Sequence, residues 1–105
     1  MQKTLAPPAE FPRVLPLVLS ILHEIQERDR RARLLQDAAR VEPRTTTGQR
    51  LQSLLLAECQ VQRVELERSR RELERLGCFL IALDPPLLAV RTRRGRRLAC
   101  FLWQL

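Results

Sequence analysis

Five arginines lie close together near the C-terminal end of the chain, between two short apolar runs. They are Arg91, Arg93, Arg94, Arg96 and Arg97, with Gly95 among them. Guanidinium groups bind phosphate oxygens through paired hydrogen bonds, and an arginine-rich β-ribbon can bind a nucleic-acid backbone. A charged hairpin tip also keeps an apolar sheet soluble and its edges unpaired. Because no aromatic residue is interleaved for base stacking, we favour the second role and keep nucleic-acid binding as the alternative.

The other groups with chemical potential are one histidine and three cysteines: His23, Cys59, Cys78 and Cys100. Structural zinc sites usually pair their ligands at short spacing, and these four residues are widely separated. A catalytic Cys–His pair would need a fixed contact that the sequence does not show. We therefore expect no metal, no cofactor and no catalytic constellation, and we predict Cys78 and Cys100 to be small buried side chains of strands.

Length and charge restrict the class of protein further. A chain of 105 residues has room for a single domain with one core. The formal net charge is +7, and all but one of the 19 basic residues are arginine, so a phosphate-bearing partner is permitted. This arginine bias is also typical of a GC-rich coding sequence, so composition alone does not indicate nucleic-acid binding.

The compartment is indicated by cysteine usage and by the apolar runs. The odd, widely spaced cysteines are unlike the disulfide framework of a secreted protein. The apolar run from Val14 to Leu22 is interrupted by Pro16 and continues into charged residues, unlike a signal peptide. No run is long enough to span a bilayer. We expect a cytoplasmic protein without membrane contact.

Two long helices are predicted in the first three quarters of the chain. Residues 1–11 contain Pro7-Pro8 and read as a flexible lead-in, and a first helix is predicted over residues 12–42. Pro16 predicts a kink, or a regular helix that starts only there. Apolar residues then recur at spacings of three and four, as in a helix–helix seam. Arg28 is the one misfit in that seam.

A break at residues 42–48 precedes the second predicted helix, over residues 47–76. Thr46 and Gln49 have the spacing of a capping box, and Gly77 can end the helix in the left-handed conformation. Glu58 lies beside the second seam, so we predict that it pairs with Arg28 across the two helices. The leucines expected to carry helix packing and self-association are Leu51, Leu54, Leu55, Leu66, Leu73 and Leu76.

The remaining residues, 78–105, are predicted to form a three-stranded antiparallel meander. Short apolar runs are separated by Asp84-Pro85-Pro86 and by the arginine-rich turn around Gly95. The predicted fold class is therefore α+β, a coiled-coil-like hairpin of two long antiparallel helices followed by a small sheet. Strands this apolar need cover on both faces. Phe79, Phe101 and Trp103 are expected to close the sheet core.

The order of these parts resembles a bacterial family of short uncharacterised proteins, known as a domain of unknown function. The resemblance rests on Leu15-Pro16-Leu17-Val18, Leu76-Gly77, Asp84, the turn at Gly95 and Cys100-Phe101. The chain departs from the family pattern at Ala89-Val90, where the family usually has an acidic–aromatic pair. It departs again after Phe101, where the family continues with Arg and Gly-Glu. The resemblance implies a long helical hairpin followed by a C-terminal β-meander and a bacterial origin, and it implies no activity.

These observations predict a non-enzymatic interaction or scaffold protein. Self-association through exposed parts of the helical stripe is expected, as a homodimer, and another protein partner is also compatible. The alternative is a nucleic-acid-binding accessory protein that uses the arginine hairpin at residues 91–97.

Overall fold

The protein is described here by a computed structural model. It describes the backbone of residues 11–94 and 97–105 and the side chains of residues 11–92 and 100–105. The predicted lead-in, apart from Phe11, lies outside the described residues. In chain order the elements are α1 (Phe11–Ala39), α2 (Thr46–Arg75), β1 (Cys78–Leu83), β2 (Pro86–Arg94) and β3 (Arg97–Gln104). Two helices packed on each other and followed by an antiparallel sheet confirm the predicted α+β class.

Helix α1 runs through Pro16 without interruption, so the prediction that regular helix starts only near Pro16 was wrong. Proline removes one hydrogen bond and crowds the carbonyl four residues earlier, which here belongs to Pro12 in the first turn. Phe11 lies in this first turn and packs edge-on against two aromatic rings of β3. The distance between ring centroids is 5.3 Å to Phe101 and 6.1 Å to Trp103. Burial of this aromatic side chain anchors the first turn of α1 to the sheet.

Helix α2 begins one residue earlier than the capping-box pattern predicts. Its N-cap is Thr45, in an extended conformation, and the Thr45 hydroxyl accepts a hydrogen bond from the Gly48 N–H at 2.9 Å. Thr46, the predicted cap, is already helical. At the other end Gly77 has a φ of 80°, which confirms its predicted left-handed role after the helix.

Replacing Thr45 by alanine should therefore destabilise the protein by about 0.5–2 kcal/mol, because the Gly48 N–H loses its acceptor. Thr47→Ala is the matched control, since Thr47 is exposed and lies within the helix. Chemical denaturation of both variants measures the difference. Equal effects of the two substitutions would show that Thr45 is not the cap.

The three strands follow one another in space in the order β1-β2-β3, all antiparallel. The register sets Cys78 opposite Val90 and Val90 opposite Phe101, and it sets Leu88 between Leu80 and Trp103. A bulge between Leu80 and Ala82 breaks the pairing of β1 with β2, whereas β2 and β3 pair without a shift. The strand faces therefore alternate regularly over most of the sheet.

The core lies where one end of the helical hairpin meets the inner face of the sheet. Both helices and all three strands contribute, and the residues buried together are Phe11, Val18, Ile21, Leu22, Ile25, Leu73, Cys78, Leu88, Val90 and Phe101. The rest of the hairpin extends away from the sheet, and the described residues span 63 × 27 × 22 Å. Toward the connection between α1 and α2, each helix is consequently packed against the other helix.

Candidate interaction surfaces

The seam between α1 and α2 is partly polar. Arg28 donates from Nη1 to Oε1 of Gln62 at 3.2 Å, and Gln62 donates in turn to Oε1 of Glu58 at 3.0 Å. The Arg28 guanidinium also pairs with Glu24 at 3.1 Å on its own helix. The predicted direct pairing of Arg28 with Glu58 was therefore wrong. The buried amide of Gln62 lies between the Arg28 guanidinium and the Glu58 carboxylate. Gln62 is one turn further along α2 than Glu58, and this places it closer to Arg28.

Other side-chain contacts tie the same two helices together. Cys59 Sγ donates to the Ala32 carbonyl at 3.3 Å, and Gln52 Nε2 donates to the Ala39 carbonyl at 2.7 Å. Arg63 reaches Gln36 at 2.8 Å. Polar groups at such a seam fix the register of one helix against the other at some cost in stability. These contacts fix the rotation of α2 about its own axis, and they therefore determine which of its residues face solvent.

That outer face carries an exposed apolar stripe. It consists of Leu51, Leu54, Ala57, Val61 and Val64, all exposed. The large side chains keep between 49% and 67% of their surface in solvent. Spacings of three, four and three place Leu54, Ala57, Val61 and Val64 in one row, about 15 Å long at about 1.5 Å per residue, and Leu51 flanks the amino end of that row. We call these five residues the α2 stripe.

The six leucines predicted to carry packing and self-association divide between two environments. Leu73 is fully buried, and Leu66 and Leu76 pack against the core. Leu55 is half-buried, whereas Leu51 and Leu54 are exposed and belong to the α2 stripe. Val61 and Val64, which are also exposed, continue the row that starts at Leu54. Their regular spacing from Leu54 was the available signal for a separate face.

The outer face of the sheet is a second uncovered apolar surface. Across its middle, Phe79 pairs with Ala89 and Ala89 with Leu102, and Leu102 keeps 47% of its surface exposed. Phe101 and Trp103 lie on the inner face with the core, as predicted, but the expectation that Phe79 joins them was wrong. Phe79 is one residue out of phase with Cys78 and Leu80, so strand alternation turns its ring outward.

The arginine cluster begins on this outer face. The guanidinium carbon of Arg91 lies 5.2 Å from the centroid of the Phe79 ring, an arrangement typical of a cation–π contact. Arg91 is exposed, and its backbone N–H donates to the Gly77 carbonyl at 2.8 Å. The side chains of Arg93, Arg94, Arg96 and Arg97 lie outside the described residues. Arg91 thus places one positive charge at the edge of an apolar surface.

The cysteines occupy three different environments. Cys59 and Cys78 are buried, and Cys100 is exposed. The prediction of a buried Cys100 was wrong, because the register puts it opposite Arg91 on the outer face of the sheet. Burial raises the pKa of the Cys78 thiol above its ordinary value, so this group is the neutral thiol at neutral pH, and the neutral thiol is a poor nucleophile.

Alkylation of the folded protein with iodoacetamide should therefore modify Cys100 well before Cys78 and Cys59. Mass spectrometry of peptides sampled during the reaction gives the order directly. Reaction in denaturant is the control, since all three thiols are then accessible. Preferential modification of Cys78 in the folded protein would contradict the register of the sheet.

Metal ions, membranes and small molecules each require a particular arrangement of side chains. Within residues 11–94 and 97–105, no group of three or more His, Cys, Asp or Glu side chains could hold a metal ion. Neither described helix is apolar over a length that would cross a bilayer. A groove of about 330 Å³ lies beside Asp29, Arg33, Leu83 and Asp84, and Arg33 is paired there with Asp29 at 3.0 Å.

Comparisons with protein-family models, with curated proteins and with solved structures found no match. The family resemblance drawn from the sequence therefore stays a prediction.

Proposed function

We propose that this protein is a non-enzymatic interaction protein that pairs with a second copy of itself through the α2 stripe. The observation that carries the proposal is the stripe itself, a set of neighbouring exposed apolar side chains, four of them large, on a helix whose other side is already packed. Single exposed apolar side chains are common on protein surfaces, whereas contiguous apolar patches mark interaction sites.

The energetics favour a pairing that buries the whole stripe. Full burial of one Leu or Val side chain contributes about 1.5–3 kcal/mol, and the stripe residues are only part-way exposed in the single chain. Association itself costs about 4–15 kcal/mol in lost translational and rotational freedom. Several side chains from both copies must therefore be buried together, so dimer formation should depend on protein concentration.

The proposal is tested by the light-scattering mass of the purified protein on a sizing column over a concentration series. We expect a mass of twice the 12.3 kDa of the single chain at high concentration, falling toward the single-chain mass on dilution. The series is run in low and in high salt, and an apolar interface should hold in both. A single-chain mass at every concentration would refute self-association.

Nucleic-acid binding is the second candidate, and the exposed Arg91 beside Phe79 favours it. Backbone contacts to phosphate weaken steeply as salt increases. Absorbance at nucleic-acid and protein wavelengths in the same column runs separates the two candidates. Under this alternative the protein carries nucleic acid in low salt and loses it in high salt. Replacing Arg93, Arg94, Arg96 and Arg97 by glutamine then abolishes the binding and leaves the mass of the protein assembly unchanged.

A further inference from the structure

We infer that the two copies pair antiparallel through α2, with a two-fold axis close to Ala57 and with Arg50 of each copy against Glu65 of the other. This inference rests on the proposed self-association and goes beyond it, because it specifies the orientation and the charged contacts of the interface. The stripe residues, their order along α2 and the charges at its two ends carry the argument.

The α2 stripe is nearly symmetric about its centre. Leu54 precedes Ala57 by one turn and Val61 follows it by one turn, so a large apolar side chain flanks the small one on each side. When the helix is reversed on itself about this centre, Leu54 lies opposite Val61. A two-fold interface requires a surface that is complementary to itself. The α2 stripe meets this requirement for apolar contacts, and the small Ala57 side chain permits close approach at the axis.

The charges that bound the stripe have opposite sign at its two ends. Arg50 lies one turn before Leu54, and Glu65 lies one turn after Val61. Because Leu54 lies opposite Val61 in the antiparallel arrangement, Arg50 comes opposite Glu65 of the second copy. Glu65 is already paired with Arg68 at 3.2 Å, and about a third of the Glu65 side chain remains accessible. A parallel arrangement would instead set Arg50 against Arg50, which costs free energy.

The charge nearest to the proposed axis is directed away from it. Glu58 follows Ala57 directly, so two copies of its carboxylate would approach each other if it pointed outward. In the structure its Oε1 accepts the hydrogen bond from Gln62, which in turn is bonded to Arg28 of α1. The contacts of the inner seam thus turn this carboxylate toward α1. They leave the centre of the α2 stripe apolar.

The experiment is a charge-exchange cycle read by sedimentation equilibrium of the full chain. The variants are Arg50→Glu, Glu65→Arg and the double exchange, and Arg31→Glu is the control for net charge, since Arg31 is exposed on α1. Each single exchange sets like charges opposite one another at two symmetric places. We expect it to raise the dimer dissociation constant roughly fivefold or more. The double exchange should return it to within about twofold of the original value, because opposite charges face each other again.

The results separate the two proposals. A dimer whose affinity is unchanged by both single exchanges, or is not restored by the double exchange, overturns the antiparallel pairing and leaves self-association standing. A starting protein that stays a single chain at all concentrations overturns self-association and the pairing with it. If Arg31→Glu raised the dimer dissociation constant as much as the single exchanges do, net charge would account for the weaker association. That result would overturn the Arg50–Glu65 contact. Circular dichroism of each variant verifies that the helices are intact.

Discussion

Leu73→Ala is expected to lower the free energy of unfolding by about 2–5 kcal/mol, the range for truncating a fully buried leucine. Leu73 lies at the end of α2 where both helices and the sheet meet, and none of its surface is exposed. Alanine there leaves a cavity among side chains that come from α1, β1, β2 and β3. These elements cannot all close around the gap, because each is also fixed by its own hydrogen bonds.

Leu56→Ala is the matched control for this prediction. Leu56 belongs to the same helix, half of its surface is exposed, and it is not part of the α2 stripe. We expect its replacement to change stability by no more than about 0.5 kcal/mol. Denaturant unfolding of both variants at one protein concentration measures the difference, since self-association adds to apparent stability. Equal losses would contradict the placement of the core at the junction of the hairpin and the sheet.

Leu54→Glu is expected to convert the dimer to single chains over the concentration range in which the unmodified protein is a dimer. The substitution places a carboxylate within the α2 stripe, one turn from its centre, and in an antiparallel dimer it does so twice. Burying an unpaired charge costs several kcal/mol, and each 1.4 kcal/mol weakens association tenfold. The folded single chain should be unaffected, because two-thirds of the Leu54 surface is in solvent.

Leu102→Glu is the comparison that distinguishes the two uncovered apolar surfaces. Leu102 is the exposed leucine in the middle of the outer sheet face, and the dimer should survive its replacement. Sedimentation velocity of both variants at the same concentration gives the answer. Loss of the dimer with Leu102→Glu and its persistence with Leu54→Glu would place the interface on the sheet.

Much of the fold follows from local patterns in the sequence. The alternating spacings of three and four predict both helices, Gly77 predicts where the second helix ends, and the short apolar runs after Cys78 predict the strands. Each of these signals acts within a few residues. The uninterrupted start of α1 could not be predicted in this way, because its first turn is anchored by contacts of Phe11 with Phe101 and Trp103, at the other end of the chain.

The candidate surfaces were less accessible to sequence reasoning than the fold. Leu54 and Leu73 are leucines of the same helix, and the sequence interpretation gave them the same role. One is mostly exposed and the other has no exposed surface. Their difference depends on which side of α2 is turned toward α1, and that is decided by contacts such as those of Gln62 and Cys59. Likewise, Phe79 faces outward because of the strand register, which hydrophobicity alone does not reveal.

The most direct test of pairing through the α2 stripe is oxidative cross-linking at Ala57. The Ala57→Cys substitution is made together with Cys100→Ser, because Cys100 is the exposed native cysteine. Disulfides form only when the two α-carbons come within about 4.4–6.8 Å, so a residue at the axis should give a covalent dimer under mild oxidation. The control, Leu56→Cys, lies at nearly the same height on α2 but about 100° around the helix from Ala57, and it should stay largely uncross-linked. Equal cross-linking of the two variants, or none at Ala57, would contradict pairing through the α2 stripe.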